Sequence, residues 1–105
     1  MTILTKENFE TEIEKCDRLA VIDLYADWCG PCMMLAPKFE ELESEYPEVK
    51  FCKINVDEQR ELTAMFKTES IPYVALVKDN TFLDFILGYD VTTKSKIAAL
   101  IEQYK

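Results

Sequence analysis

A mixed α/β fold, with one central sheet of about five strands flanked by four helices, is what the order of apolar segments predicts. Three observations carry it. Short apolar runs of strand length alternate with segments whose apolar residues recur every three or four positions. The order is strand, helix, strand, helix, strand, helix, strand, strand, helix. The last two strands are separated only by Lys78-Asp79-Asn80, a hairpin-length connection. Alternating strands and helices imply parallel pairing with right-handed crossovers, whereas a closing hairpin must pair antiparallel. With 105 residues, the chain reads as a single domain, residues 1–105, able to bury one core without disulfides to hold it.

Taken in order, Thr2 to Leu4 is a short apolar stretch suited to an edge strand. Thr5 offers an N-cap to a first helix whose apolar face is Phe9, Ile13 and Cys16. Leu19 to Tyr25 is an apolar run broken only by Asp23, the pattern of a central strand. From Pro31 to about Tyr46, Leu35, Phe39, Leu42 and Tyr46 repeat at helical spacing. Pro37 removes one backbone donor inside that helix, so a kink is expected, and Pro47 closes it. Val49 to Val56 is a second central strand, and Asp57 is placed to cap a short helix carrying Leu62, Met65 and Phe66. Thr68 to Ile71 is a loop ending at Pro72; Tyr73 to Val77 and Thr81 to Leu87 form the hairpin. Ile97, Leu100, Ile101 and Tyr104 mark the apolar face of a final helix.

The net charge of −8 argues against nucleic acid and anionic membrane surfaces as partners, because both need a basic face. The acidic residues are spread along the chain, as on a solvated surface. No apolar stretch is long enough to span a bilayer, and Met1 to Glu7 lacks the basic start and apolar run of a secretory signal. The expected location is therefore the cytoplasm, where thiols are kept reduced. There is no glycine-rich phosphate loop, so no organic cofactor is expected.

The most informative segment is Trp28-Cys29-Gly30-Pro31-Cys32, between a predicted central strand and a predicted helix. At a helix start, unpaired backbone N–H groups and aligned peptide dipoles favour negative charge, hence a cysteine in its thiolate form. Gly30-Pro31 makes a tight turn, and proline suits the first turn of a helix. Two sulfurs this close can alternate between dithiol and disulfide. A CxxC pair is also half of a zinc site, but this chain has no histidine and its other cysteines, Cys16 and Cys52, are single, so no metal is expected. Both read as small buried hydrophobes on the first helix and the second central strand.

Together, the element order and the Trp-Cys-Gly-Pro-Cys string resemble the thioredoxin family over essentially the whole chain. Asp23 six residues before the first cysteine, Pro37, Lys53-Ile54-Asn55-Val56-Asp57, Ile71-Pro72 and Gly88 add to the resemblance. It implies the thioredoxin fold and protein-disulfide reduction through Cys29 and Cys32, with re-reduction by a thioredoxin reductase. Cys29, first in the chain and at the strand end, is expected to be the exposed, ionised sulfur that attacks a client disulfide. Cys32, one turn deeper, is expected to resolve the mixed disulfide, leaving Cys29 and Cys32 oxidised.

Asp23, inside an apolar strand, should be desolvated, which raises its pKa. From the residues alone it reads either as a satisfied structural carboxylate or as a base for Cys32; the resemblance favours proton transfer. Lys53 on the neighbouring strand is its expected partner, and Gly30, Pro31 and Lys53 are expected to tune the pair. The resemblance also implies a cis bond before Pro72 that turns the Ile71 backbone outward to pair with a client strand. Trp28, Gly30, Pro31, Ile71, Pro72, Gly88 and Tyr89 would then form the client surface around Cys29. Three positions depart from the common family pattern: Met33 where lysine is common, Tyr73 where threonine is common, and Asp79-Asn80 in place of Asn-Gly. A monomeric protein-disulfide reductase is the leading reading. A disulfide oxidase or isomerase of the same fold, a non-turnover redox-sensing subunit and a zinc-binding structural domain are the alternatives.

Overall fold

The structure, a computed structural model, describes residues 1–105. Its strands are β1 (Thr2–Ile3), β2 (Ala20–Tyr25), β3 (Lys50–Asn55), β4 (Tyr73–Lys78) and β5 (Thr81–Leu87). Its α-helices are α1 (Gly30–Glu45), α2 (Arg60–Ala64) and α3 (Thr93–Tyr104), and a short π-helical segment, Glu10–Glu14, follows β1. The five strands form one sheet in the order β1-β3-β2-β4-β5. β1, β3 and β2 run parallel, while β4 is antiparallel to both β2 and β5. This is the mixed five-stranded sheet expected from the order of segments, in the arrangement that the resemblance to thioredoxins implied.

The alternation of side chains along each strand divides the core into two layers. Ala20, Ile22 and Leu24 of β2 join Cys52, Ile54, Tyr73, Ala75 and Val77 on one face, where Leu4, Phe9, Ile13 and Leu62 cover them. Val21, Phe51, Val74 and Leu76 point to the opposite face and meet Leu35, Phe39 and Leu42 of α1 and Ile97 and Ile101 of α3. Phe39 is fully buried and meets Phe51 edge to face, with ring centroids 5.1 Å apart. Burying side chains of this size stabilises by about 1.5–3 kcal/mol each, so two apolar layers on one sheet hold the fold without crosslinks.

The first helix differs from the expected one. Thr5 does act at its start, where Thr5 Oγ1 accepts from Asn8 N at 3.2 Å and Asn8 Oδ1 accepts from Thr5 N at 2.8 Å, a reciprocal capping arrangement. The following turns are π-helical, and Cys16 leaves the apolar face to sit half-buried, 3.5 Å from the Arg18 carbonyl. Helix α1 runs unbroken through Pro37, which is exposed, while Leu35 and Phe39 on either side are held in the core. Asp57 does not cap α2, whose first residue follows Gln59. Instead Asn55 Oδ1 accepts from the backbone N–H of Asp57 at 2.9 Å and of Glu58 at 3.2 Å, turning the chain out of β3. The hairpin places both Asp79 (φ 52) and Asn80 (φ 58) in the left-handed region, the geometry of a two-residue connection that follows the sheet twist.

Candidate functional site

The end of β2 and the start of α1 build the site. Tyr25 closes the strand, Ala26 to Trp28 bridge, and Cys29 is the N-cap residue of α1 in an extended conformation (φ −91, ψ 110). Pro31 occupies the first turn, where a missing N–H costs nothing. Cys29 Sγ accepts a hydrogen bond from the backbone N–H of Cys32 at 3.3 Å. The sulfur therefore takes the place of the usual N-cap oxygen and meets the positive end of the helix dipole. The Cα atoms of Cys29 and Cys32 are 5.2 Å apart and the two sulfurs are joined as a disulfide. In the reduced protein the same donor and dipole favour a thiolate at Cys29.

Exposure separates the two cysteines little, since Cys29 is 6% and Cys32 3% exposed. What separates them is position. Cys29 lines a groove of about 550 Å³, with Trp28, Gly30 and Pro31 on its own side and Thr68, Glu69, Ser70 and Ile71 contributed by the loop before β4; Val56 and Thr63 complete it. Cys32 does not line this groove and belongs with Ala26 and Cys29 to a small buried cluster. Cys29 Sγ lies 4.0 Å from the Ile71 carbonyl oxygen. Ile71 precedes β4, and neither its N–H nor its C=O enters a backbone hydrogen bond. The Ile71–Pro72 bond is cis.

Trp28 is 71% exposed, yet its indole Nε1 donates to Asp57 Oδ2 at 2.8 Å, which orients the ring beside the groove. Gly88 and Tyr89 lie outside the groove. Gly88, at φ +81, donates its N–H to the Pro72 carbonyl at 2.8 Å, and Tyr89 packs against the α1–α3 core layer. Thr63, Thr68, Glu69 and Ser70 line the groove without having been singled out in the sequence, and Val56 enters from the end of β3; the turn from β3 and the loop before β4 bring them there.

Asp23 shares its sheet face with Val21 and is completely buried, with neither carboxylate oxygen hydrogen-bonded. Burial pushes its pKa from 3.8 up to about 7, with the positive charge of Lys53 pulling back. Lys53 stands beside Asp23 in the β2–β3 register, but its Nζ lies 4.5 Å from the Tyr25 ring centroid rather than in an ion pair. An unpaired buried carboxyl is costly to fold, and groups with such shifts concentrate at functional sites. Cys52 is buried in the other core layer, and desolvation pushes its thiol up to about 12. Cys16 and Cys52 both lie away from the groove.

No helix is long and apolar enough to cross a membrane. The thioredoxin family model matches residues 1–103. Thioredoxin from Chlorobaculum thiosulfatiphilum is 36% identical over 101 residues, covering 95% of this chain and 92% of its own length. Thioredoxin-T of Drosophila melanogaster is 40% identical over 89 residues, which cover 84% of this chain and 55% of that longer protein. The X-ray structure of Fasciola hepatica thioredoxin superposes with a TM-score of 0.91 at 36% identity, covering 100% of both chains. Fold, relatives and the disulfide-forming pair agree: the chain belongs to the thioredoxin family and carries its dithiol–disulfide reductase chemistry.

Proposed function

We propose that Cys29 is the attacking sulfur of a protein-disulfide reductase and Cys32 the resolving one. The observation that carries this reading is the N-cap position of Cys29, whose sulfur receives the Cys32 N–H at the mouth of the groove. The Cys29 thiolate attacks one sulfur of a client disulfide; that S–S bond breaks and the other client sulfur leaves as a thiolate. Cys32, deprotonated, then attacks Cys29 Sγ, expels the first client sulfur as a thiolate and leaves the Cys29–Cys32 disulfide. Two electrons have passed to the client. A thioredoxin reductase returns them.

Asp23 is the base for the Cys32 proton, directly or through a water. Its raised pKa supports this, because a carboxyl that titrates near neutrality can both take up and release a proton at working pH. Lys53 limits how far that pKa rises. The client binds as an extended segment against Ile71, whose backbone groups are free to pair with it. Trp28, Gly30 and Pro31 flank the reacting sulfur; Pro72, expected on the client surface, is buried and contributes only the backbone that presents Ile71, while Gly88 and Tyr89 extend the surface toward the end of β5. The protein acts as a monomeric single domain in the cytoplasm, on disulfide-containing client proteins.

Two serine variants test the division of labour. Cys29→Ser is expected to abolish reduction of a model protein disulfide. Cys32→Ser is expected to accumulate a covalent complex with the client through Cys29, seen as a mass increase that dithiothreitol reverses. Normal turnover by Cys32→Ser, or client captured on Cys16 or Cys52, would refute the assignment.

A further inference from the structure

The groove beside Cys29 has one charged side chain, Glu69, and no lysine or arginine lines it. Glu69 is exposed and enters none of the ion pairs of the molecule. None of the basic residues forms an ion pair with it. Lys67, two residues earlier at φ 55, lines a separate apolar groove with Phe9, Phe82 and Phe85. Lys53 stands over the Tyr25 ring, and Lys38 and Lys94 pair with glutamates of α1. The residue after Cys32 is Met33, uncharged and 60% exposed. Arg60 lies in the adjoining depression, which Lys6, Asp57, Glu58 and Glu61 also line. The rim around the reactive sulfur is thus acidic on both sides, with Asp57 beside Trp28 and Glu69 beside Ile71.

A client segment held against Ile71 places its cysteine at Cys29 Sγ, 4.0 Å from the Ile71 carbonyl. Glu69 lies two residues from Ile71 in the bend that leads into β4, and it lines the same groove as Cys29 and Ile71. A client residue a few positions from the attacked cysteine, held in that groove, therefore comes near the Glu69 carboxylate.

We propose that Glu69 is a specificity determinant of the exchange reaction, favouring client segments with a lysine or arginine within a few positions of the attacked cysteine and disfavouring those with an acidic residue there. The inference rests on the reading that Cys29 attacks. The chemistry is unchanged: one S–S bond forms to Cys29 as the client S–S bond breaks and its other sulfur leaves as a thiolate. Glu69 changes only how well the segment docks.

The test is single-turnover reduction of two disulfide peptides that differ by Lys or Glu two positions from the attacked cysteine, with pre-reduced protein at low salt. An exposed ion pair is worth up to about a fivefold ratio, so the lysine peptide is expected to react about threefold to fivefold faster. Glu69→Gln is expected to reduce that ratio and Glu69→Lys to invert it. Asp17→Asn removes one equal charge at the opposite end of β2, about 20 Å away and outside the groove, where it acts on the bound client far more weakly than a charge lining the groove, so the ratio should largely persist. High salt should compress the parent's ratio. A ratio unmoved by Glu69→Gln, or moved equally by Asp17→Asn, overturns the proposal, since the overall charge would then explain the preference. If the parent reduces both peptides at equal rates, the selectivity claim fails and the Cys29 reading stands; if it reduces neither, the Cys29 reading itself fails.

Discussion

Replacing Asp23 with asparagine should turn a hidden cost of the fold into a measurable gain that depends on pH. The carboxyl is completely buried, lacks any hydrogen-bond partner, and titrates at about 7 rather than 3.8. An acid whose pKa is raised by folding binds its proton more tightly in the native state. The native state is therefore favoured below the unfolded value, and stability is lost as pH rises from about 4 to about 7. Between about pH 5 and about pH 8 that loss comes to about 2.5 kcal/mol for a shift of this size. Asparagine does not titrate, and whatever its buried amide costs is the same at every pH. Urea unfolding of the oxidised parent and of Asp23→Asn across this range should give stability curves that diverge by about that amount, with the variant gaining as pH rises. Cys52 and the tyrosines are common to both proteins, so their titrations cancel in the difference. Parallel curves would show that the Asp23 carboxyl is hydrated or paired, and the burial reasoning would fail. The same substitution should slow resolution of the mixed disulfide and remove the dependence of that step on a group titrating near neutrality.

Two further perturbations test packing and the groove. Phe39→Ala empties a fully buried site against Phe51 and should destabilise by about 3–5 kcal/mol in urea unfolding; a loss below about 1 kcal/mol would mean the α1 layer repacks freely. Asp57→Ala removes the acceptor of the only indole, so the fluorescence anisotropy of Trp28 should fall while the unfolding midpoint stays in place; unchanged anisotropy would show that the hydrogen bond does not orient the ring.

Where local pattern and tertiary packing agree, the elements are legible from the sequence. The apolar run into Tyr25, the Gly30-Pro31 turn, and the Leu35, Phe39 and Leu42 spacing locate β2, the Cys29–Cys32 corner and α1 within a residue or so. Asp23 stands out because a carboxylate inside such a run has nowhere to go but inward. The first helix was less legible, since Phe9 and Ile13 fit α and π spacing equally over so short a segment. Asp57 is a good cap by type, but Asn55 supplies the local bonds and the Asp57 carboxylate is committed to Trp28, 29 residues away. No local pattern encodes a bond of that range. Glu69 and its neighbours are invisible for the same reason. Their role depends on where the loop before β4 comes to rest beside Cys29, which is set by the β2–β4 register.

Alkylation of the reduced protein with limiting iodoacetamide at mildly acidic pH, mapped by peptide mass spectrometry, shows whether the helix start makes one particular sulfur the attacking one. Label is expected on Cys29 first, with Cys32 lagging and Cys52, its thiol pushed up to about 12, unlabelled until the protein unfolds. Label reaching Cys32 or Cys16 ahead of Cys29 would contradict it.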